Sequence, residues 1–220
     1  MSHFTQDRAP LQPQLDAITE QTRRLVQAER LEPAERAILE ALPLEASFAQ
    51  PGQRLLPFAL TDATGRIVSS EDVLALGPVI LKFFRGRWDP YCSTELEAWR
   101  DLYSEVRSRG GFLLALSPQT VRQNDFLVGQ HALPFPVLRD EKCAVANSLG
   151  LAHTAPEYLQ RYYRSILVNV PFINGEDSWS LPLPATVVLD RGGVIRFIEA
   201  HADFRIRPEP ASALEVLASL

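Results

Sequence analysis

The stretch from Pro78 to Leu96 constrains this chain more than any other. Pro78-Val79-Ile80-Leu81-Lys82 is an apolar, β-branched run of the kind that forms a strand covered on both faces. It passes through Phe83-Phe84-Arg85-Gly86-Arg87-Trp88-Asp89-Pro90-Tyr91-Cys92. From Glu95 to Arg109, the residues Leu96, Trp99, Leu102, Tyr103 and Val106 then recur on one helical stripe. A buried strand running almost directly into an amphipathic helix calls for a layered α/β arrangement. It also delivers Cys92 to the first turn of that helix, where unpaired backbone N–H groups favour a thiolate over a thiol. The expectation is a reactive cysteine with a depressed pKa; the alternative is a small residue buried in the core.

The rest of the chain fits around that unit. Pro13 opens a helix in which Leu15, Ile18, Thr22 and Leu25 recur, running to about Arg30. A shorter helix from Pro33, with Ala37, Ile38 and Leu42 inward, is limited by Pro43. Residues 1–50 therefore read as a helical extension, packed on the main domain or on a second subunit. Residues 51–220 form the compact domain. Within it, Leu55 to Leu60 reads as an edge strand closed by Asp62-Ala63-Thr64-Gly65, and Ser69 or Ser70 caps a helix to Leu76. Phe112 to Leu116 and Phe135 to Leu138 read as strands around a crossover helix from Thr120 to His131. Ala144 to Leu149 is helical, Pro156 to Tyr163 is an aromatic-rich helix, and Ile166 to Val170 is a strand candidate. Ala185 to Leu189 and Val194 to Ile198 flank Asp190-Arg191-Gly192-Gly193, a strong hairpin signal, before a last helix from Ala211.

Composition narrows the function classes. The formal charge of -5 over 220 residues carries no basic stripe, which argues against nucleic acid, and no apolar run reaches membrane length. The first ten residues are polar and mixed in charge, so no secretory leader is expected. Two cysteines, Cys92 and Cys143, do not make a disulfide framework, and a reducing cytoplasm suits them. Four scattered histidines argue against a structural zinc.

The strand, the loop Trp88-Asp89-Pro90-Tyr91-Cys92, the later Leu183-Pro184-Ala185-Thr186 and the terminal hairpin together resemble the thioredoxin-fold superfamily. Within it they are most similar to the peroxiredoxins, the alkyl hydroperoxide reductase and thiol-specific antioxidant (AhpC/TSA) family, over roughly residues 51 to 210. The resemblance implies a thioredoxin-like α/β fold: a mixed central sheet with helices on both faces, plus the N-terminal helical extension. It implies an antioxidant oxidoreductase in which Cys92 is the peroxidatic cysteine, reducing hydrogen peroxide or an organic hydroperoxide. It calls for no cofactor. Thioredoxin or a small thiol is the expected reductant, and a homodimer the expected assembly. Thr94 and Glu95 follow the cysteine as in the family, Glu95 to position an arginine, and Trp88, Tyr91 and Pro184 are expected to wall the substrate pocket.

Two departures mark this chain. Asp89 stands where related loops carry a first cysteine, and where standard peroxiredoxins carry a threonine. As an ionised neighbour it would raise the pKa of Cys92. Pro184 stands where peroxiredoxins keep an arginine, and matches the cis-proline of thioredoxin-like reductases. The positive charge at the thiolate is therefore expected from Arg85, or from Arg87. Cys143, 51 residues after Cys92, is a resolving cysteine only if it reaches it, and a one-cysteine mechanism is favoured. His201 and Asp203 share one side of an extended segment and read as a hydrogen-bonded contact. A redox-inactive thioredoxin-fold binding protein is the rival reading, supported by Asp89 and Pro184. A thiol-disulfide oxidoreductase is the third, and the missing first cysteine weighs against it.

Overall fold

The computed structural model describes residues 9–25 and 48–220. The helix expected from Pro33 lies outside the described residues. The elements are α1 (Leu11–Leu25), β1 (Ala59–Asp62), β2 (Ile67–Ser69), α2 (Ser70–Leu76), β3 (Val79–Phe83), α3 (Pro90–Ser108), β4 (Phe112–Ser117), α4 (Val121–His131) and β5 (Val137–Arg139). A 3-10 turn at Glu141–Cys143 leads into α5 (Ala144–Ser148), β6 (Ala152–Thr154), α6 (Glu157–Ser165), α7 (Val170–Asn174), β7 (Ser180–Pro182), β8 (Ala185–Leu189), β9 (Ile195–Ala200) and α8 (Pro210–Ala218).

Seven strands form one sheet in the order β2-β1-β5-β4-β3-β8-β9. β3 and β4 are parallel, as are β4 and β5, while β8 runs antiparallel to both β3 and β9. The alternation of side chains along each strand splits the interior into two cores. On one face, Val79, Leu81 and Phe83 of β3 meet Val187 of β8, Val145 and Ala146 of α5, and Cys143. On the other, Ile80 and Phe84 meet Leu96 and Trp99 of α3, Leu127 of α4, Leu214 of α8, and Cys92. Helices thus cover both faces of a mixed sheet, the thioredoxin-like α/β fold.

Lys82 lies between Ile80 and Phe84 in the strand and so points into the second core, fully buried. Opposite it in register is Thr186, whose Oγ1 accepts from Lys82 Nζ at 3.3 Å. A charged lysine in the middle of a central strand has to be paired, and the helix above supplies the partner.

Several elements differ from the sequence expectation for physical reasons. The helix expected from Pro13 starts at Leu11, because the Glu209 carboxylate accepts from Leu11 N (3.1 Å) and Gln12 N (3.0 Å). That cap comes from almost 200 residues away. Ile166 to Val170 is not a strand. Leu167 adopts a left-handed conformation (φ 64°), and Asn169 then caps α7 by accepting from Phe172 N at 3.3 Å. The short ribbon of β6 and β7 carries no alternation signal in the sequence; it packs Leu181 into a third apolar cluster with Leu159 and Tyr163 of α6. Among the described residues no peptide bond is cis, so the bond before Pro184 is trans, unlike that of the thioredoxin-like reductases.

A buried thiol in a cage of charges

The helix that carries Cys92 begins earlier than its apolar stripe suggests. Asp89 is its N-cap, with Oδ1 accepting from Tyr91 N at 3.0 Å, and Pro90 takes the first helical position, where a missing N–H costs nothing. Cys92 follows at the third helical position and faces inward, with 0% exposure. The other carboxylate oxygen, Asp89 Oδ2, accepts from Cys92 Sγ at 2.8 Å and from Arg85 Nε at 2.8 Å.

The guanidinium that reaches the sulfur belongs to Arg207, in the segment between β9 and α8. Its two terminal nitrogens lie 3.7 and 3.5 Å from Cys92 Sγ. The same group donates to Glu95 Oε2 at 2.6 Å and to Asp89 Oδ2 at 3.4 Å, and its Nε donates to the Phe204 carbonyl at 2.6 Å. Glu95 sits one helical turn beyond Cys92 on the same face. Its second oxygen is 2.5 Å from Lys82 Nζ. Three cations, Lys82, Arg85 and Arg207, therefore surround two carboxylates and one thiol, all of them buried.

The remaining expected site residues lie as follows. Arg85 donates its backbone N–H toward Cys92 Sγ at 3.4 Å, while its buried guanidinium runs past Asp89 to α6. There it bonds Tyr163 Oη at 3.0 Å and stacks 3.8 Å from the Phe204 ring and 5.0 Å from that of Trp88. Arg87 is exposed and donates to Gln123 of α4, so its charge is spent at the surface rather than on the sulfur. Thr94 is two residues past Cys92, about 200° around the helix. It lines a cleft of about 450 Å³ between α1, α3 and the start of α8 instead of facing the thiol. Tyr91 also points away, into a cluster with Leu11 and Leu15, and its Oη is 2.9 Å from Thr19 Oγ1. Pro184 is buried where β8 begins, and Trp88 packs edge-on against Tyr163 at 5.0 Å. His201 pairs with Glu199, and Asp203 with Arg205. Cys143 is buried against the opposite face of the sheet from Cys92.

Electrostatics overturn one expectation. The helix N-terminus does not leave Cys92 as a thiolate at rest: burial and the Asp89 carboxylate push the thiol up to about 11, against the pull of Arg207 and Arg85. Burial also pushes the Asp89 carboxyl up, but Arg85 and Arg207 outweigh it and hold Asp89 below the usual carboxylate range. Burial pulls Lys82 down, with Glu95 opposing. Cys143 is raised by burial and by Asp140, an inert core thiol in its resting arrangement.

Sequence reasoning missed Arg207. It lies 115 residues from Cys92, and the only available signal was its place in the run from His201 to Arg207 after the last strand. Nothing in that run marks which cation turns inward.

Residues 51–198 match the AhpC/TSA family. A Coxiella burnetii protein provisionally named as the peroxiredoxin bcp is 26% identical over 111 residues, which is 50% of this chain and 73% of that protein. The protein named thiol-disulfide oxidoreductase ResA from Halalkalibacterium halodurans is 26% identical over 110 residues, 49% of this chain and 60% of its own length. In structure, the chain is similar to the peroxidoxin BcpB from Mycobacterium tuberculosis, with a TM-score of 0.61 and 20% identity over 78% of this chain and 97% of that one. At that identity the likeness speaks to the fold. Among the described residues no helix is long and apolar enough to cross a membrane.

Proposed function

The chain belongs to the AhpC/TSA family, the peroxiredoxins of the thioredoxin-fold superfamily, and from that premise we propose that it is a thiol-dependent peroxidase acting through Cys92. The observation that carries the reading is the Arg207 guanidinium held against Cys92 Sγ by Glu95. The sulfur attacks the terminal oxygen of a hydroperoxide and becomes a sulfenic acid, while the O–O bond breaks and the remaining oxygen leaves as water or an alcohol. Charge builds on sulfur and on both oxygens in that transition state, and Arg207 together with the backbone N–H of Arg85 offers donors already in place.

The reductant is an external thiol, thioredoxin or a small one, because Cys143 lies across the sheet from Cys92. The cycle is therefore a one-cysteine cycle, run in the cytoplasm by a homodimer. The sulfur is fully buried, so hydrogen peroxide reaches it more readily than a bulky organic hydroperoxide. A thiol-disulfide oxidoreductase is disfavoured, since Asp89 holds the place of the first active cysteine.

A redox-inactive binding protein is the second reading, favoured by the sealed Cys92 with its raised pKa. Stopped-flow mixing of reduced protein with hydrogen peroxide, followed by sulfenic-acid trapping on Cys92, separates the two. The peroxidase requires trapped sulfenic acid, its loss in Cys92→Ser, and most of the turnover kept in Cys143→Ser. An unoxidised Cys92 would leave the binding protein.

A further inference from the structure

Resting on the peroxidase reading, we propose that Asp89 is a catalytic residue that accepts the Cys92 proton and returns it to the leaving oxygen. Cys92 Sγ donates to Asp89 Oδ2 at 2.8 Å, so donor and acceptor are already in contact. In the step, the S–H proton passes to Asp89 Oδ2 as a sulfur lone pair attacks the terminal oxygen of the hydroperoxide. The O–O bond breaks, the sulfur is oxidised to Cys–SOH, and the peroxide is reduced. The departing alkoxide or hydroxide takes the proton from Asp89 and leaves as alcohol or water, restoring the carboxylate.

The surroundings suit a proton that moves rather than one that is lost. Arg207 touches both ends of the relay, reaching Asp89 Oδ2 at 3.4 Å and Cys92 Sγ at 3.5 Å. Arg85 does so as well, through its Nε to the carboxylate (2.8 Å) and its backbone N–H to the sulfur (3.4 Å). Negative charge on either atom thus meets the same two residues. Release of the thiol proton to water would change the net charge of a sealed cage, which is costly; transfer to Asp89 leaves it unchanged. The other ionisable groups facing the pair are Glu95 on α3, Lys82 on β3 and Tyr163 on α6, with His153 of β6 beyond Arg85. Burial and then Arg85 push His153 down to about 4, so it stays neutral over the working range. Burial raises Tyr163, which stays a phenol there too.

The test compares peroxide oxidation with thiolate content in the full-length protein. In wild type, the rate of Cys92 oxidation by hydrogen peroxide should be nearly flat from about pH 6 to 9, since the carboxylate stays ionised throughout. A rate rising about tenfold per pH unit across that range would mean attack by the free thiolate, and would overturn the relay without any variant having to fold. In Asp89→Asn, removal of the charge should raise the thiolate fraction at pH 7, read by absorbance at 240 nm and by iodoacetamide alkylation. Peroxide oxidation should nevertheless fall by about 100-fold or more. If thiolate and peroxide rate rise together in that variant, Asp89 only suppresses ionisation: the relay is wrong and the peroxidase stands. If wild-type Cys92 never yields sulfenic acid, the peroxidase reading and the relay fall together.

Discussion

Arg207 and Arg87 show how little residue type says about role. Both are arginines of this chain, but one is fully buried against Cys92 and Glu95 while the other lies exposed beside Gln123. Arg207→Lys keeps the charge but loses the fork that spans Glu95, Asp89 and the sulfur. Peroxide oxidation of Cys92 in that variant should drop by about 10- to 100-fold. Arg87→Lys should stay within about twofold, measured in the same stopped-flow assay; equal losses would relocate the positive charge of the site. Cys92 also leaves a mark on stability. Its folded pKa is raised, so the stability it contributes is complete below the unfolded thiol value and is lost as pH rises toward about 11. Urea unfolding should therefore show wild type losing about 2 kcal/mol more than Cys92→Ser between pH 8 and 11. Parallel decline of the two proteins would mean that burial does not hold this proton.

Among the elements, α1 has a placement that the chain's local pattern does not announce. Its apolar stripe is plain in the sequence, and Leu11 and Leu15 bury against Tyr91. Its start is set by Glu209, and its Gln12 in turn accepts from Arg207 N at 3.2 Å and donates to the Arg205 carbonyl at 3.1 Å. The helix that carries no chemistry of its own thus clamps the segment that aims the guanidinium at the sulfur. Glu209→Gln should weaken the cap by about 1 kcal/mol. The reading is faster amide hydrogen exchange across residues 11–25, with a smaller loss of peroxide rate than Arg207→Lys causes. Unchanged exchange would show that apolar packing alone seats the helix. The misread segment at Ile166 to Val170 has the same lesson: a β-branched run suggests a strand, but Pro171 and the Asn169 cap commit it to a helix start.

For the molecule as a whole, the parity of the sheet separates its two cysteines. Cys92 packs among residues such as Ile80 and Ala115, and Cys143 among residues such as Leu81 and Leu116, so a continuous sheet stands between them. Peroxide treatment of the folded protein should give no intramolecular Cys92–Cys143 disulfide by peptide mapping, and Cys143 should remain reduced. Such a disulfide, if found, would require the 3-10 turn and α5 to come away from the sheet, and would end the one-cysteine cycle.

Much of this protein is local in origin and so legible from residue order. The covered β3 strand follows from its unbroken apolar run, the body of α3 from the stripe of Leu96, Trp99 and Val106, and the β8–β9 hairpin from Asp190-Arg191-Gly192-Gly193, because each depends on neighbours a few residues apart. The arrival of Cys92 in the first turn of α3 follows in the same way. What surrounds its sulfur does not. Arg207 comes from the far end of the chain, Lys82 and Glu95 meet only because a strand passes under a helix, and burial sets the thiol's proton affinity. Charge interactions act through space and desolvation depends on everything packed nearby, so the state of that one proton was decided by the folded molecule.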